Sequence, residues 1–350
     1  MMRRIVLLAC IVMCGLLTVF SPSALQAARN GFSLFLDTVL PALLPYFVCT
    51  SLISLCGVQV RYSRFLLPAL ALVSGAPSGA RCAAILSDDD KLASRLAAAL
   101  NAASPAFIAG VFCSGCMGVP RLAVPMLTAQ YLSALVMLVP LIPRIRGEGA
   151  PAAPPAPTLA EAVRSAMSSL TAICGTIVFF CVLIKLADIT GLFDILCYPF
   201  LRLTMLCGGN GTAVKPMVTG IFEMVTGANA VAAARLDIRA AAALGTALFS
   251  FGGLCVMAQS EALLKIKPGI YLLSKLVQSV IAGIAAYLIT PLFDIPQAVI
   301  SLQDADTLMK NASVTLAILV SSLIGMSAVL LLAAAASGVR RREQFHHERQ

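Results

Sequence analysis

The sequence predicts an all-α polytopic membrane protein, an inverted repeat of helices with two re-entrant hairpins. Three observations predict it. Of 350 residues, 59% are hydrophobic and only 12% charged, with mean hydropathy +0.93. A soluble domain carries about 25% charged residues, so polar surface is too scarce here to cover a water-soluble globule. The apolar runs reach the roughly 20 residues a spanning helix needs, and they are continuous, without the dyad alternation of a β-barrel. Finally, Gly-rich interruptions stand at matching places in the two halves. The first is Leu72-Val-Ser-Gly-Ala-Pro-Ser-Gly-Ala80 with Asn101-Ala-Ala-Ser-Pro105. The second is Val218-Thr-Gly-Ile-Phe-Glu-Met-Val-Thr-Gly-Ala-Asn229 with Phe249-Ser-Phe-Gly-Gly253. In lipid, unwound backbone survives only where protein or trapped water satisfies it.

Taken in order, residues 1–30 hold a first apolar helix. Arg3 and Arg4 precede the run 5–20, and Ser21 to Ala27 follows it like a leader cleavage region. The reading is a retained transmembrane helix, with a cleaved signal peptide as the alternative. Residues 31–146 form the first repeat: apolar runs 32–57, 65–86 with the first break, 96–119 and 122–143. The Pro-rich stretch in 147–160 cannot be helical and divides the halves. Residues 161–290 form the second repeat: runs 163–187, 214–234 with the second break, 240–258 and 269–290, plus an interfacial piece at 192–207. Residues 291–350 hold a last apolar run, 312–337, and a basic tail.

Charge tests the threading. Arg61 and Arg64 flank the 65–86 run on one side, Lys91 and Arg95 on the other. If the run is a hairpin with its tip near Gly75 to Gly79, both clusters lie on one side, as the positive-inside rule prefers. Pro77 and the small tip residues also fit a turn. With both breaks read as hairpins, Arg3, Arg4, Arg144, Arg146, Lys265, Lys267 and Arg340 to Arg342 join that side. Arg29, Arg121, Arg202, Lys215, Arg235, Arg239 and Lys310 fall opposite. The N- and C-termini are then cytoplasmic. The two halves carry the same parts in the same order with opposite orientation, the plan of many secondary transporters.

The string Leu72 to Arg81, the segment Asn101 to Pro105 and the segment Phe222-Glu-Met-Val-Thr-Gly227 together resemble the sporulation integral membrane protein family of the YlbJ type, over roughly residues 30–290. That family belongs to the nucleoside-recognition Gate group. The resemblance implies a bacterial cytoplasmic-membrane protein of spore formation. The Gate name implies solute recognition without fixing a nucleoside.

Glu223 is the sharpest single residue. A carboxylate inside Met217 to Ala234 is costly unless it faces a polar cavity or a partner. It reads either as a proton, cation or solute site, or as a cap on nearby backbone N–H groups. Thr226, Gly227 and Asn229 place small polar groups beside it, and Ser74, Gly75, Ser78, Gly79, Asn101 and Ser104 do so in the first half. Together these ten are the candidate substrate-binding residues. The same residue types also allow tight helix crossing. Arg81 could pair with Glu223, or extend its stem so that the head reaches the interface.

Net charge is +9 and the isoelectric point about 9.1, but no basic stripe interleaves with aromatics, so nucleic acid is a poor partner. Most of the 12 cysteines sit in apolar runs and read as packing residues. Cys113-Ser-Gly-Cys116 lacks a second CxxC or nearby His to complete a metal set. No nucleophile or acid–base set and no phosphate loop appears; an enzyme is not expected, nor a cofactor, with H⁺ or Na⁺ as candidate coupling ions. The expected partners are the lipid bilayer and a small polar solute, with a second copy or sporulation proteins as further candidates. Two functions remain: a secondary transporter with a midplane site, or a non-transporting sporulation scaffold on a transporter-type fold.

Overall fold

The computed structural model describes residues 2–55, 63–145, 158–206, 211–293 and 295. The Pro-rich linker core, the run 312–337 and the basic tail lie outside them. The described residues form an all-α polytopic membrane protein.

Helix α1 (Met2–Val19) turns by 101° into α2 (Ser21–Leu34). The Ser-Pro at 21–22 suits a helix start, where proline's missing N–H costs nothing. Helix α2 continues through a π-helical stretch, Phe35–Val39, into α3 (Leu40–Leu55). The helix expected at 32–57 thus begins at Ser21. The stretch resembling a cleavage region is wound into α2, with Ala24 and Ala27 packed against Val182 and Leu186. Next come α4 (Ser63–Ser74), α5 (Ser78–Leu86) and α6 (Asp90–Leu100). The chain is then non-helical from 101 to 104 and resumes into a π-helical run, Phe107–Cys116, followed by α7 (Ala123–Leu138). The apolar run 96–119 is therefore a broken helix. Asn101-Ala-Ala-Ser-Pro105 breaks it because the residue before proline resists the α conformation.

Helix α8 (Leu159–Ile189) opens on a capping box: Thr158 Oγ1 accepts from the Glu161 N–H, and the Glu161 carboxylate accepts from the Thr158 N–H. This reciprocal pairing satisfies two otherwise orphaned donors. Helix α9 (Leu192–Leu206) has exposed Ile195, Leu203 and Leu206. Then follow α10 (Val214–Phe222), α11 (Met224–Ala233), α12 (Ile238–Phe251), α13 (Gly253–Glu261) and α14 (Pro268–Ile289). Gly252 and Gly253, at φ +83° and +81°, break α12 from α13; only glycine takes such backbone without a Cβ clash. Four stretches among the described residues are long and apolar enough to span: Pro120–Leu138, Leu159–Ile189, Ile238–Glu261 and Pro268–Leu292.

The two halves repeat one order: a helix pair joined at a break (α4–α5, α10–α11), a broken helix (α6 with the π-helical run, α12 with α13), and a long helix (α7, α14). Their polarity is opposite. At one end of the bundle Asp90 pairs with Lys267 at 3.0 Å and Lys265 at 3.9 Å, so the start of α6 and the segment after α13 share that end. Arg144, after α7, joins Asp88, Asp89, Lys91 and Arg95 in a cleft there. At the other end Lys215 of α10 pairs with Asp188 of α8 at 2.8 Å. Because α12 and α13 together span, α12 starts at the Asp188 end and α6 at the Asp90 end, and the two run toward each other. Phe249, on the last turn of α12, packs edge-on against Phe107 (5.4 Å) and Phe112 (4.9 Å) where they meet.

The Lys267 hydrogen bond holds the Asp90 carboxyl below the usual carboxylate range, opposed by desolvation and aided by the Lys267 and Lys265 charges. A depressed carboxylate stabilises above its unfolded value, about pH 4, and loses that contribution as pH falls through the lowered value. The pair is open to solvent, so screening keeps it weak. Lys267→Gln is expected to lower the melting midpoint slightly at neutral pH and low salt, and not at all at acid pH; a large drop would show that the pair anchors this end.

Candidate functional site

The breaks meet in the middle of the bundle. In the first half, Gly75 (φ +80°) lies so close to Ser104 that a Cβ there would stand 2.7 Å from the Ser104 nitrogen. The Ala76 N–H also donates to the Ala102 carbonyl at 2.9 Å. In the second half, a Cβ on Gly253 would stand 3.2 Å from the Gly220 and Phe222 carbonyls. Each helix-pair tip therefore rests on its own broken helix through a glycine. Among the described residues, a cavity of about 40 Å³ lies between the tips. Gly75 and Ser104 line it from the first half, Glu223, Cys255 and Gln259 from the second, and Ile173 and Ile177 of α8 close one wall.

Glu223, 1% exposed, interrupts the α10–α11 pair with extended backbone (φ −142°, ψ 118°). Its carboxylate accepts from the Val225 N–H at 3.0 Å and the Thr226 N–H at 2.5 Å, and Cys255 Sγ donates to it at 3.8 Å. Both readings of this residue meet in one place: it caps α11, where the helix dipole favours negative charge, and it lines the cavity. Arg81 reaches Ser169 of α8 instead of Glu223.

Of the ten residues singled out from sequence, Gly75, Ser104 and Glu223 line the cavity. The other seven do not line it. Ser74 Oγ donates to the Leu70 carbonyl at 2.5 Å, and Ser78 Oγ to the Gly75 carbonyl, tightening the first tip. Ser104 Oγ accepts from the Phe107 N–H at 3.2 Å. Gly79 lets α5 lie on α6: a Cβ there would stand 2.6 Å from the Asn101 side-chain oxygen and the Leu100 carbonyl carbon. Gly227 packs face to face on Gly220 and closes the second pair. Thr226 Oγ1 lies 3.4 Å from Cys181 Sγ. Asn229 is exposed and accepts from Cys116 Sγ at 3.1 Å, so one end of the CxxC meets the second hairpin.

Asn101 is wholly buried and ties the halves together. Its Oδ1 accepts from the Ala80 N–H at 3.1 Å, and its Nδ2 donates to Ser260 Oγ at 2.8 Å and Tyr271 Oη at 3.3 Å. The long helices serve the same junction. Gln130 of α7 donates to the Ala103 carbonyl at 2.7 Å, and Gln278 of α14 to the Ala99 carbonyl at 3.1 Å. Lys275 of α14, also wholly buried, donates to the carbonyls of Asn101 and Ser250. The sequence reading of the site lacks Gln130, Tyr271, Lys275 and Gln278. For Lys275 the signal was present: an ionisable residue inside an apolar run calls for a partner, as Glu223 does.

No family model and no solved structure matches the chain. Among curated proteins it is 25% identical, over 319 aligned residues, to the sporulation integral membrane protein YlbJ of Bacillus subtilis (strain 168), covering 76% of this chain and 78% of that one. The match spans most of both chains, and the architecture is that of a multi-pass membrane protein: the chain is a homologue of YlbJ-type sporulation integral membrane proteins.

Proposed function

We propose that this protein acts in spore formation as a secondary transporter or permease for a small polar solute in the bacterial cytoplasmic membrane. The observation that carries the reading is the meeting of both helix-pair tips and both broken helices on one cavity lined by the Glu223 carboxylate. Discontinuous helices at a repeat interface are where transporters bind substrate and coupling ion. The similarity to the B. subtilis sporulation integral membrane protein supports the sporulation setting. The end carrying Lys91, Arg95, Arg144, Lys265 and Lys267 is the cytoplasmic one by the positive-inside rule, in keeping with cytoplasmic termini. A water needs about 10–15 Å³ of such volume, so about 40 Å³ suits an ion or a few waters. A solute of nucleoside size needs more room than that, so alternating access would require the tips to part. Glu223 carries the coupling H⁺ or Na⁺, since its carboxylate is the charged group on the cavity wall.

The test is flux into proteoliposomes with nucleosides, amino acids, dicarboxylates and divalent cations as probes. Glu223→Gln keeps a capping oxygen and removes the charge. It is expected to slow flux at least about tenfold, equivalent to 1.4 kcal/mol, with a small change in melting midpoint. Unchanged flux removes Glu223 from the mechanism. A second reading, a membrane scaffold without transport, draws on the internal hydrogen bonds that occupy Ser74, Ser78 and Asn101. Absence of flux with every probe, together with normal spore formation by Ser74→Ala and Glu223→Gln strains, would favour the scaffold.

A further inference from the structure

We infer that the crossing of the two broken helices is a monovalent-cation site whose resident cation is the ammonium group of Lys275. The inference concerns how the halves are held together and does not depend on transport.

Helices α6 and α12 run from opposite ends of the bundle and stop at the crossing with their carbonyl ends leading. Each such end leaves its last carbonyls unpaired and carries about half a negative charge. Two like ends repel, and away from water neither can be left unsatisfied. In transporters built from broken helices, such ends and the unwound carbonyls beside them bind Na⁺. Here neutral donors serve three of the carbonyls. Gln278 takes Ala99, Gln130 takes Ala103, and the Ala103 N–H takes Phe249 at 3.1 Å. The Lys275 ammonium takes two more, one from each helix: Asn101, the C-cap of α6, and Ser250, in the last turn of α12, at 2.7 Å.

Lys275 is fully enclosed, and among the described residues these two carbonyls are its hydrogen-bond partners and no carboxylate pairs with it. A buried ammonium without a counter-charge needs negative potential from elsewhere. The two helix ends supply it, and the ammonium offsets their mutual repulsion. The titratable group beside it on its own helix, Tyr271 one turn earlier, accepts from Asn101 Nδ2. Asn101 and Ser260, neutral side chains from across the junction, meet each other, and Asn101 meets that Tyr271 hydroxyl. Because the ammonium is tethered, it cannot dissociate, so cohesion of the halves is independent of Na⁺ and K⁺.

The test uses the full chain with a C-terminal fluorescent-protein fusion. Melting midpoints are read by fluorescence size-exclusion from solubilised membranes in NaCl, KCl or N-methylglucamine chloride at equal ionic strength. The variants are Lys275→Ala, which opens space at the crossing, and Lys275→Met, which keeps the stem and drops the charge. Lys275→Met is expected to fall by about 5 °C or more in all three salts. Lys275→Ala is expected to fall as far in N-methylglucamine and to recover in Na⁺ or K⁺. An alkali ion bound elsewhere, such as beside Glu223, would stabilise wild type and variants alike and cancels in their difference. Three outcomes overturn the assignment: Lys275→Met as stable as wild type, Lys275→Ala showing no alkali-ion recovery beyond wild type, or Lys275→Ala failing to fold in every salt.

Discussion

Gly227→Val is expected to abolish the closed second hairpin, and with it most of the folded protein. A Cβ at Gly227 would collide with the Cα of Gly220 and stand 2.8 Å from its nitrogen. The obstruction is backbone, which has no flexible end to swing away, so α10 and α11 must part. Overpacking a well-filled site costs about 1–3 kcal/mol, and a clash with a helix axis belongs at or above the top of that range. Gly175→Ala is the control. Gly175 lies within α8 and a Cβ there meets nothing within 4 Å. Replacing an interior helix glycine by alanine gains about 0.5–1 kcal/mol. Melting midpoints in mild detergent should thus move in opposite directions. Equal midpoints would mean that the α10–α11 pair is open and that Glu223 is not held at a tip.

Asn101→Leu is expected to be nearly as damaging, for an electrostatic reason. Leucine keeps the branched shape but is bulkier and offers no donor or acceptor, so some overpacking adds to the loss of the amide that joins Tyr271 Oη and Ser260 Oγ. A buried polar group left without its partner costs about 1–3 kcal/mol; of the three partners of Asn101, the Ala80 N–H keeps the Pro77 carbonyl and Ser260 Oγ keeps the Val256 carbonyl, so the loss falls mainly on Tyr271. The midpoint should fall by a matching amount while monomer yield in the membrane stays measurable. The variant also separates two roles for Asn101. If its stability equals that of wild type while stabilisation by a bound solute disappears, the amide faces the solute. If stability falls and the solute response of the residual folded protein persists, the amide is a structural tie. The geometry favours the tie, since Oδ1 and Nδ2 are both engaged within the protein.

Much of the architecture is legible in local sequence. Long apolar runs announce spanning helices, and Pro105, Gly252 and Gly253 announce breaks by rules that act within a few residues. Glu223 stands out for the same reason: a carboxylate between Phe222 and Met224 needs an explanation whatever the fold. Local rules say less about where helices begin and which neighbours they choose. Ser21 to Ala27 reads like a cleavage region, yet it winds into α2 because Ala24 and Ala27 find an apolar face on α8. Ser74, Ser78 and Asn101 look like free polar groups beside unwound chain. Their hydrogen bonds turn inward because the broken ends need donors and acceptors more than the cavity does.

The amino-acid sequence by itself determined the membrane class, the paired order of parts and the positions of both breaks, because composition and backbone preference act over a few neighbouring residues. Only the tertiary structure decided which donor serves which broken end. Asn101 meets Ser260 and Tyr271, and Lys275 meets the carbonyls of Asn101 and Ser250. Those partners come together through the crossing geometry of helices that approach from opposite ends of the bundle, and no local pattern encodes that geometry.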